Sequence, residues 1–209
     1  MTAHRSLTRR AAAVAAAATT AVVLAACGGG NGSSAGHDGH ETSSPSATAS
    51  AQQGEHNAAD VAFAKGMIPH HRQAVEMADL AQSRAQSAEV EKLAAEIEKA
   101  QDPEIRTLSG WLTAWGEEVP GEGRDAGHGG HSMSGMMTPE EMDELEKASG
   151  TAFDTAFLKM MIKHHEGAVE MAKTERSDGA YKPARDMAGD IVTSQSAEIA
   201  RMNELLGDN

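Results

Sequence analysis

The stretch FLKMMIKHHEGAVEMA, residues 157–172, decides how this sequence is interpreted, because residues 63–78 read FAKGMIPHHRQAVEMA. The two stretches are identical at 11 of 16 positions. Pairing residues 58–112 with residues 152–206 extends the match without a gap and gives 21 identical pairs in 55 positions. An internal duplication with an offset of 94 residues predicts two copies of one structural unit.

Each copy places two adjacent histidines inside an apolar helical pattern. At 100° per residue, Phe63, Met67 and Ala74 fall on one arc of a helix, and His70 and His71 lie on either side of the centre of that arc. Both imidazoles are therefore predicted to face the protein interior. The same argument applies to His164 and His165 in the second copy.

A second helical pattern follows each histidine stretch and has polar residues at two positions of its apolar seam. These residues are Gln101 and Glu104 in the first copy, and Gln195 and Glu198 in the second. A buried, unpaired carboxylate is very costly, so each glutamate needs a partner. Counting residues on both sides of a turn near Ala85 places His71 level with Gln101, and Met67 level with Glu104.

These patterns predict an all-α fold: a four-helix bundle built from two duplicated helical hairpins. We expect the hairpins at residues 57–116 and 151–207, joined by a linker at 117–150 that contains a short helix. The expected helices begin after Asn57 and end near residue 84, and span about 88–115, 138–148, 151–176 and 180–206. Kinks are expected at Pro69 and Pro103. No strand pattern of useful length is present.

The first 56 residues have a different composition. Residues 1–26 resemble an export signal, with arginines ahead of an Ala/Val-rich run. Leu24-Ala25-Ala26-Cys27 resembles a bacterial lipobox, which implies cleavage before Cys27 and a lipid on its sulfur. Residues 27–56, rich in Gly, Ser, Ala and Thr, are predicted to form a flexible tether. The expected location is the outer face of the bacterial cell membrane; the alternative is a secreted protein with an incidental cysteine.

A net charge of −13 argues against a nucleic-acid partner, since binding to nucleic acid needs a basic surface. The polar set kept in both halves favours a metal site over core histidines that are merely hydrogen-bonded to Gln and Glu. The candidate ligands are His70, His71, His164, His165, Met67, Met77, Met161, Met171, Glu104 and Glu198, supported by Gln101 and Gln195. Accessory ligands in the linker are His128, His131, Met133, Met136 and Met137, although this segment could also be a spacer.

Thioether and imidazole ligands in an exported protein favour copper, and the thioethers and imidazoles of the linker suit Cu(I). Zinc on imidazole and carboxylate is the alternative. A ferritin-like di-iron site uses Glu-x-x-His motifs, and this chain has His-His and Gln-x-x-Glu instead.

The sequence from Gly135 to Ala172, GMMTPEEMDELEKASGTAFDTAFLKMMIKHHEGAVEMA, resembles the bacterial domain of unknown function 305, a ferritin-like group of exported four-helix proteins. The resemblance extends over about residues 57–206. It implies a four-helix bundle, and some relatives bind copper in the periplasm. It also implies that the family's ligand positions correspond to Met67, His70, His71 and Met77, and to Met161, His164, His165 and Met171.

The function predicted from these observations is capture, buffering or hand-over of copper by an extracytoplasmic lipoprotein, without turnover of a substrate. Two alternatives remain open: a ferritin-like di-metal oxidase, which would use iron, and an envelope interaction module in which the buried polar groups set helix register. The partners expected are the metal ion, the membrane through Cys27, and a metal-delivery protein or a second copy of the chain.

Overall fold

The computed structural model describes residues 55–121 and 134–207. They form five helices, α1 Ala58–Arg84, α2 Ala88–Trp115, α3 Pro139–Lys147, α4 Thr151–Asp178 and α5 Lys182–Gly207. The described ranges contain no strand, and none of their helices combines the length and apolarity needed to cross a bilayer. The predicted all-α bundle is confirmed. The export signal, Cys27 and nearly all of the predicted tether lie outside the described residues.

Local sequence signals explain where the helices begin and end. Asn57 and Thr138 each form a capping box with the residue three positions later, at the starts of α1 and α3. Gly116 ends α2 in the left-handed conformation, with φ of 75°. α1 continues through Pro69 as one helix, and α2 continues through Pro103.

The two hairpins pack through their first helices. α1 packs on α2 and α4 packs on α5, while α1 and α4 form the main contact between hairpins. Residues 63–68 of α1 share a buried cluster with residues 168–172 of α4, whereas residues 74–78 share another with residues 153–161. α1 and α4 therefore run antiparallel, as a pseudo-twofold axis between the two copies requires.

Two buried aspartates connect the hairpins reciprocally. Asp60 in the first turn of α1 accepts hydrogen bonds from the α4–α5 turn, and Asp154 in the first turn of α4 accepts them from the α1–α2 turn. The backbone donors are Ala180 (3.2 Å) and Tyr181 (2.9 Å) for Asp60, and Gln86 and Ser87 (3.0 Å each) for Asp154. Because Ala180 and Tyr181 donate to Asp60, α5 begins at Lys182, two residues later than predicted.

The apolar core is divided into two clusters, one toward each end of the bundle. One contains residues 74–81, 90–97 and 153–161 together with α3 residues such as Leu145. The other contains residues 63–68, 108–112, 168–172 and 184–191. On every long helix, the segment between the two clusters contains the histidines or the Gln/Glu pair. A polar layer thus crosses the middle of the bundle.

Candidate metal centre

The four histidines of this layer are buried as predicted. His70, His71 and His165 are fully buried, and His164 is 1% exposed. They lie in the middle turns of α1 and α4, where the helical period directs them into the interior of the bundle.

His71 and His165 each donate a hydrogen bond to a glutamate on the second helix of the same hairpin. The distance from Nε2 of His71 to Oε2 of Glu104 is 2.7 Å, and the corresponding distance from His165 to Glu198 is also 2.7 Å. An ionised carboxylate only accepts hydrogen bonds, so each ring carries a proton on Nε2. Each glutamate side chain keeps about a fifth of its surface exposed, at 23% and 22%, so each pair connects the buried layer to solvent.

The other two histidines face each other across the pseudo-twofold axis. The ring centroids of His70 and His164 are 3.7 Å apart, with an angle of 40° between the ring planes. Nε2 of His70 donates to the backbone carbonyl of Ser134 at 3.2 Å. Neither ring nitrogen of His164 has a partner at hydrogen-bond geometry in residues 55–121 and 134–207, and the nearby backbone of His70 only partly offsets the lowering of the His164 pKa. Within the same ranges, the Nδ1 atoms of all four histidines are buried without a partner.

The surroundings of this central pair keep both rings neutral. Burial, followed by the neighbouring His71, lowers the pKa of His70 to about 3. Burial and the neighbouring histidines also hold the pKa of His164 well below its usual value. At neutral pH each of these two rings therefore has a lone pair free on one nitrogen, which is the form of imidazole that binds a metal.

The two glutamine amides and two of the four methionine thioethers lie in or next to the histidine layer, whereas the other two thioethers lie further along the helices. Gln101 and Gln195 are buried in the layer, each 3% exposed, with Oε1 unpartnered. Met67 and Met161 are fully buried and lie one helical turn before the histidine pairs, close enough to reach them. Met77 and Met171 lie about two turns beyond the histidines, roughly 10 Å along the helix axis, within the two apolar clusters.

The accessory set predicted in the linker is only partly described. His128, His131 and Met133 lie outside the described residues. Met137 is 5% exposed and packs in an apolar cluster, and Met136 is half-buried.

The layer is chemically suited to a soft ion but is not a complete ligand cage. Among the described residues, no group of three or more His, Cys, Asp or Glu side chains is arranged to hold a metal ion. Any ion bound here has to use methionine sulfur or small movements of the rings. Neutral imidazoles beside thioethers suit Cu(I).

Comparison with known proteins agrees with this architecture. Residues 60–206 match the family described as Domain of unknown function (DUF305). The chain belongs to the DUF305 family. No curated protein matches the chain.

Solved structures of DUF305 proteins share the fold. A DUF305 protein of Streptomyces coelicolor is 33% identical, with a TM-score of 0.65 over 72% of this chain and 93% of its own. A DUF305 fragment from Deinococcus radiodurans is 31% identical, with a TM-score of 0.65 over 73% of this chain and 98% of its own. CopM in its Cu(I)-bound form is 31% identical, with a TM-score of 0.59 over 71% of this chain and 96% of its own. CopM has also been solved with Cu(II) and with silver.

Several features of the site were not predicted from the sequence. Residue counting placed His71 level with Gln101, and the ring of His71 bonds to Glu104, the other polar residue of that seam. Asp60 and Asp154 were detectable, since they are one of the identical pairs in the duplication. Ser134 and Glu175 gave no such signal, because neither has a counterpart of the same kind in the other half.

Proposed function

We propose that this DUF305 protein binds copper outside the cytoplasm and captures, buffers or hands over the ion without chemical turnover. The observation that carries the proposal is the central layer of buried imidazoles with unpartnered nitrogens, present once in each half of a duplicated fold. Unpartnered buried polar atoms are costly to keep, and a bound ion would satisfy them.

In the proposed site, Nδ1 atoms of the four histidines and the thioethers of Met67 and Met161 supply the ligands. Glu104 and Glu198 belong to the site as the acceptors that fix the tautomers of His71 and His165. Histidine ligands commonly donate their second ring N–H to a carboxylate or a carbonyl in this way. Gln101 and Gln195 line the layer, and Met77 and Met171 are available only to an ion that moves along the bundle.

The CopM structures support the choice of ion. CopM shares 31% of its residues with this chain and has been solved with Cu(I), Cu(II) and silver. Cu(I) and silver are soft ions that prefer thioether and imidazole ligands, and the proposed ligand set has the same character. Zinc, which accepts imidazole and carboxylate, is the ion to test against copper.

Export and lipidation at Cys27 form part of the proposal. The residues that support them are the arginine-led apolar run of residues 1–26 and the sequence Leu-Ala-Ala-Cys that ends at Cys27. The Streptomyces coelicolor relative has been assigned as secreted. Mass spectrometry of the protein from its native envelope should show a diacylglycerol on an N-terminal Cys27; an unmodified cysteine would contradict the anchor.

The proposed function is tested by competition for Cu(I) against a chromogenic chelator. Replacing His70, His71, His164 and His165 by alanine should abolish the tight site, whereas His56→Ala should not, because His56 is exposed and stacks on Trp115, far from the layer. Unchanged affinity in the quadruple variant would refute the site.

Copper addition should also raise the melting temperature, as any ligand of the native state must. A melting temperature that does not change with copper or zinc would favour the interaction module. Iron in the isolated protein together with oxygen consumption would favour the oxidase.

A further inference from the structure

A short segment of the linker lies across one side of the histidine layer. We call residues 134–137 the strap. The hydroxyl of Ser134 donates to Glu170 on α4 at 2.8 Å, while its carbonyl accepts from His70 on α1 at 3.2 Å. At the other end, the amide of Gln73 on α1 bonds to both backbone groups of Met137, at 2.7 and 2.9 Å. The strap therefore bridges α1 and α4 beside the central imidazoles.

The fit between the strap and α4 depends on two glycines. Gly135 has φ of 81°, and a Cβ there would lie 2.6 Å from the carbonyl oxygen of Lys163. A Cβ on Gly167 would overlap the carbonyl of Ser134. Both positions therefore exclude any side chain, so the backbone of the strap can rest directly on the turn of α4 that carries His164.

The duplication shows that this contact is particular to one half. Gly167 is the counterpart of Gln73, and the two residues that follow each of them are identical, Ala-Val in both halves. One member of the pair makes room for the strap and the other holds it by two hydrogen bonds. The two halves thus differ at this position because the strap needs a residue without a side chain on α4 and an amide side chain on α1.

The chemical consequence is that His70 and His164, which occupy corresponding positions in the two halves, have different hydrogen-bond surroundings. Because a carbonyl only accepts hydrogen bonds, His70 must keep its proton on Nε2 and its lone pair on Nδ1. Among the described residues, His164 has no such hydrogen-bond partner, so no hydrogen bond in this part of the chain sets its tautomer and ring rotation. Each of His71 and His165 has its tautomer set by a glutamate. The strap therefore supplies His70 with the hydrogen-bond acceptor that fixes its tautomer, as Glu104 and Glu198 do for His71 and His165.

We propose that the strap is a positioning element for His70, which fixes this ring for binding through Nδ1 and leaves His164 as the adaptable ligand of the pair. The binding role given to His70 in this inference rests on the proposed copper function. The placement of His70 by Ser134 is a property of the metal-free protein, and it can be tested without copper.

The first experiment examines the metal-free protein at one fixed pH. In the wild type, the ring ¹⁵N shifts of His70 should report a proton on Nε2, and the amide hydrogen of Met137 should exchange slowly. Gly167→Ala should displace the strap, alter the His70 ring shifts and speed Met137 exchange. The matched control is Gly110→Ala, a helical glycine with nothing within 4 Å of an added Cβ. Ring shifts of His70 unchanged in Gly167→Ala would overturn the proposal.

The second experiment measures Cu(I) affinity in the same variants. Removing a partner that orients a metal ligand typically lowers affinity about 10–100-fold, and we expect this loss in Gly167→Ala and in Gln73→Ala, but not in Gly110→Ala. If Gly167→Ala fails to fold, as shown by circular dichroism, Gln73→Ala provides both measurements. Wild-type affinity in a variant whose His70 shifts have changed would overturn the positioning role. A wild-type protein that does not bind copper would refute the proposed function instead.

Discussion

Glu175 is a buried carboxylate outside the candidate metal centre, and its replacement by glutamine should change how stability depends on pH. The side chain is 1% exposed, and no neighbouring N–H or O–H group donates to either of its oxygens. Its neighbour is the Asp60 carboxylate, which already accepts from three backbone N–H groups. The pseudo-equivalent position in the first half is Ala81, so this carboxylate occurs in one half only.

Burial, followed by the hydrogen bond to Asp60 and its charge, raises the pKa of Glu175 from 4.5 to about 8, against the attraction of Arg185. For Asp60, burial alone would raise the pKa, but hydrogen bonds from Glu175 and from the backbone lower it overall. A protonated Glu175 that donates to an ionised Asp60 accounts for both directions.

The sign of the effect follows from proton binding. Between pH 4.5 and about 8, the unfolded chain has released the Glu175 proton while the folded protein keeps it. The free energy of unfolding therefore falls as pH rises through this window. At ~1.4 kcal/mol per pH unit, the total loss is on the order of 3–5 kcal/mol, and the lower end applies where water reaches the ionised carboxylate.

The assay is urea unfolding of the metal-free protein followed by circular dichroism from pH 5 to pH 9. Glu175→Gln keeps the volume and the donor of the protonated side chain, so it should match the wild type at pH 5 and exceed it in stability at pH 9. Taking the difference between the two proteins cancels the contributions of the histidines. The exposed Glu204→Gln is the control. A stability difference that stays constant from pH 5 to pH 9 would refute the reasoning.

Three further predictions concern the hairpin connection and the layer. Asp154→Ala removes the charged acceptor of two partly buried hydrogen bonds, from the N–H groups of Gln86 and Ser87, and should lower the free energy of unfolding by about 1–3 kcal/mol, measured by urea titration at pH 7; full retention of stability would contradict the role assigned to Asp154. His164→Leu removes two unpartnered buried nitrogens, so the metal-free protein should melt at an equal or higher temperature while Cu(I) binding is lost; a large drop in melting temperature would contradict this trade-off. Glu104→Gln should weaken Cu(I) binding about 10–100-fold in chelator competition, and unchanged binding would remove Glu104 from the proposed site.

Much of the fold could be predicted because the apolar period and the capping residues of a helix are visible in contiguous sequence. A period of 3.6 residues placed all four histidines inside, and capping residues such as Asn57, Thr138 and Gly116 marked helix boundaries to within a residue or two. The duplication then allowed the two halves to be compared, which separated the polar residues that both halves retain from those that differ between them. These signals depend on neighbours in sequence, so they can be read without the tertiary fold.

The axial register between helices could not be predicted in the same way. Residue counting placed His71 level with Gln101, but the count did not identify the hydrogen-bond partner of its ring, which is Glu104. Side chains lean toward the N-terminus of their own helix, so a residue count along two helices does not show which side chains meet. Periodicity specifies the direction of a side chain around the helix axis but not its height relative to another helix.

The sequence alone determined the number of helices, their approximate bounds and which residues face inward, because helical period and capping are properties of contiguous residues. Only the tertiary structure decided which inward residues meet. These contacts are the pairing of His70 with His164, the reciprocal contacts of Asp60 and Asp154, the hydrogen bond between His70 and Ser134, and the burial of Glu175 beside Asp60. All of them join residues between 64 and 121 positions apart. Such contacts depend on the packing of whole hairpins, which no local pattern specifies.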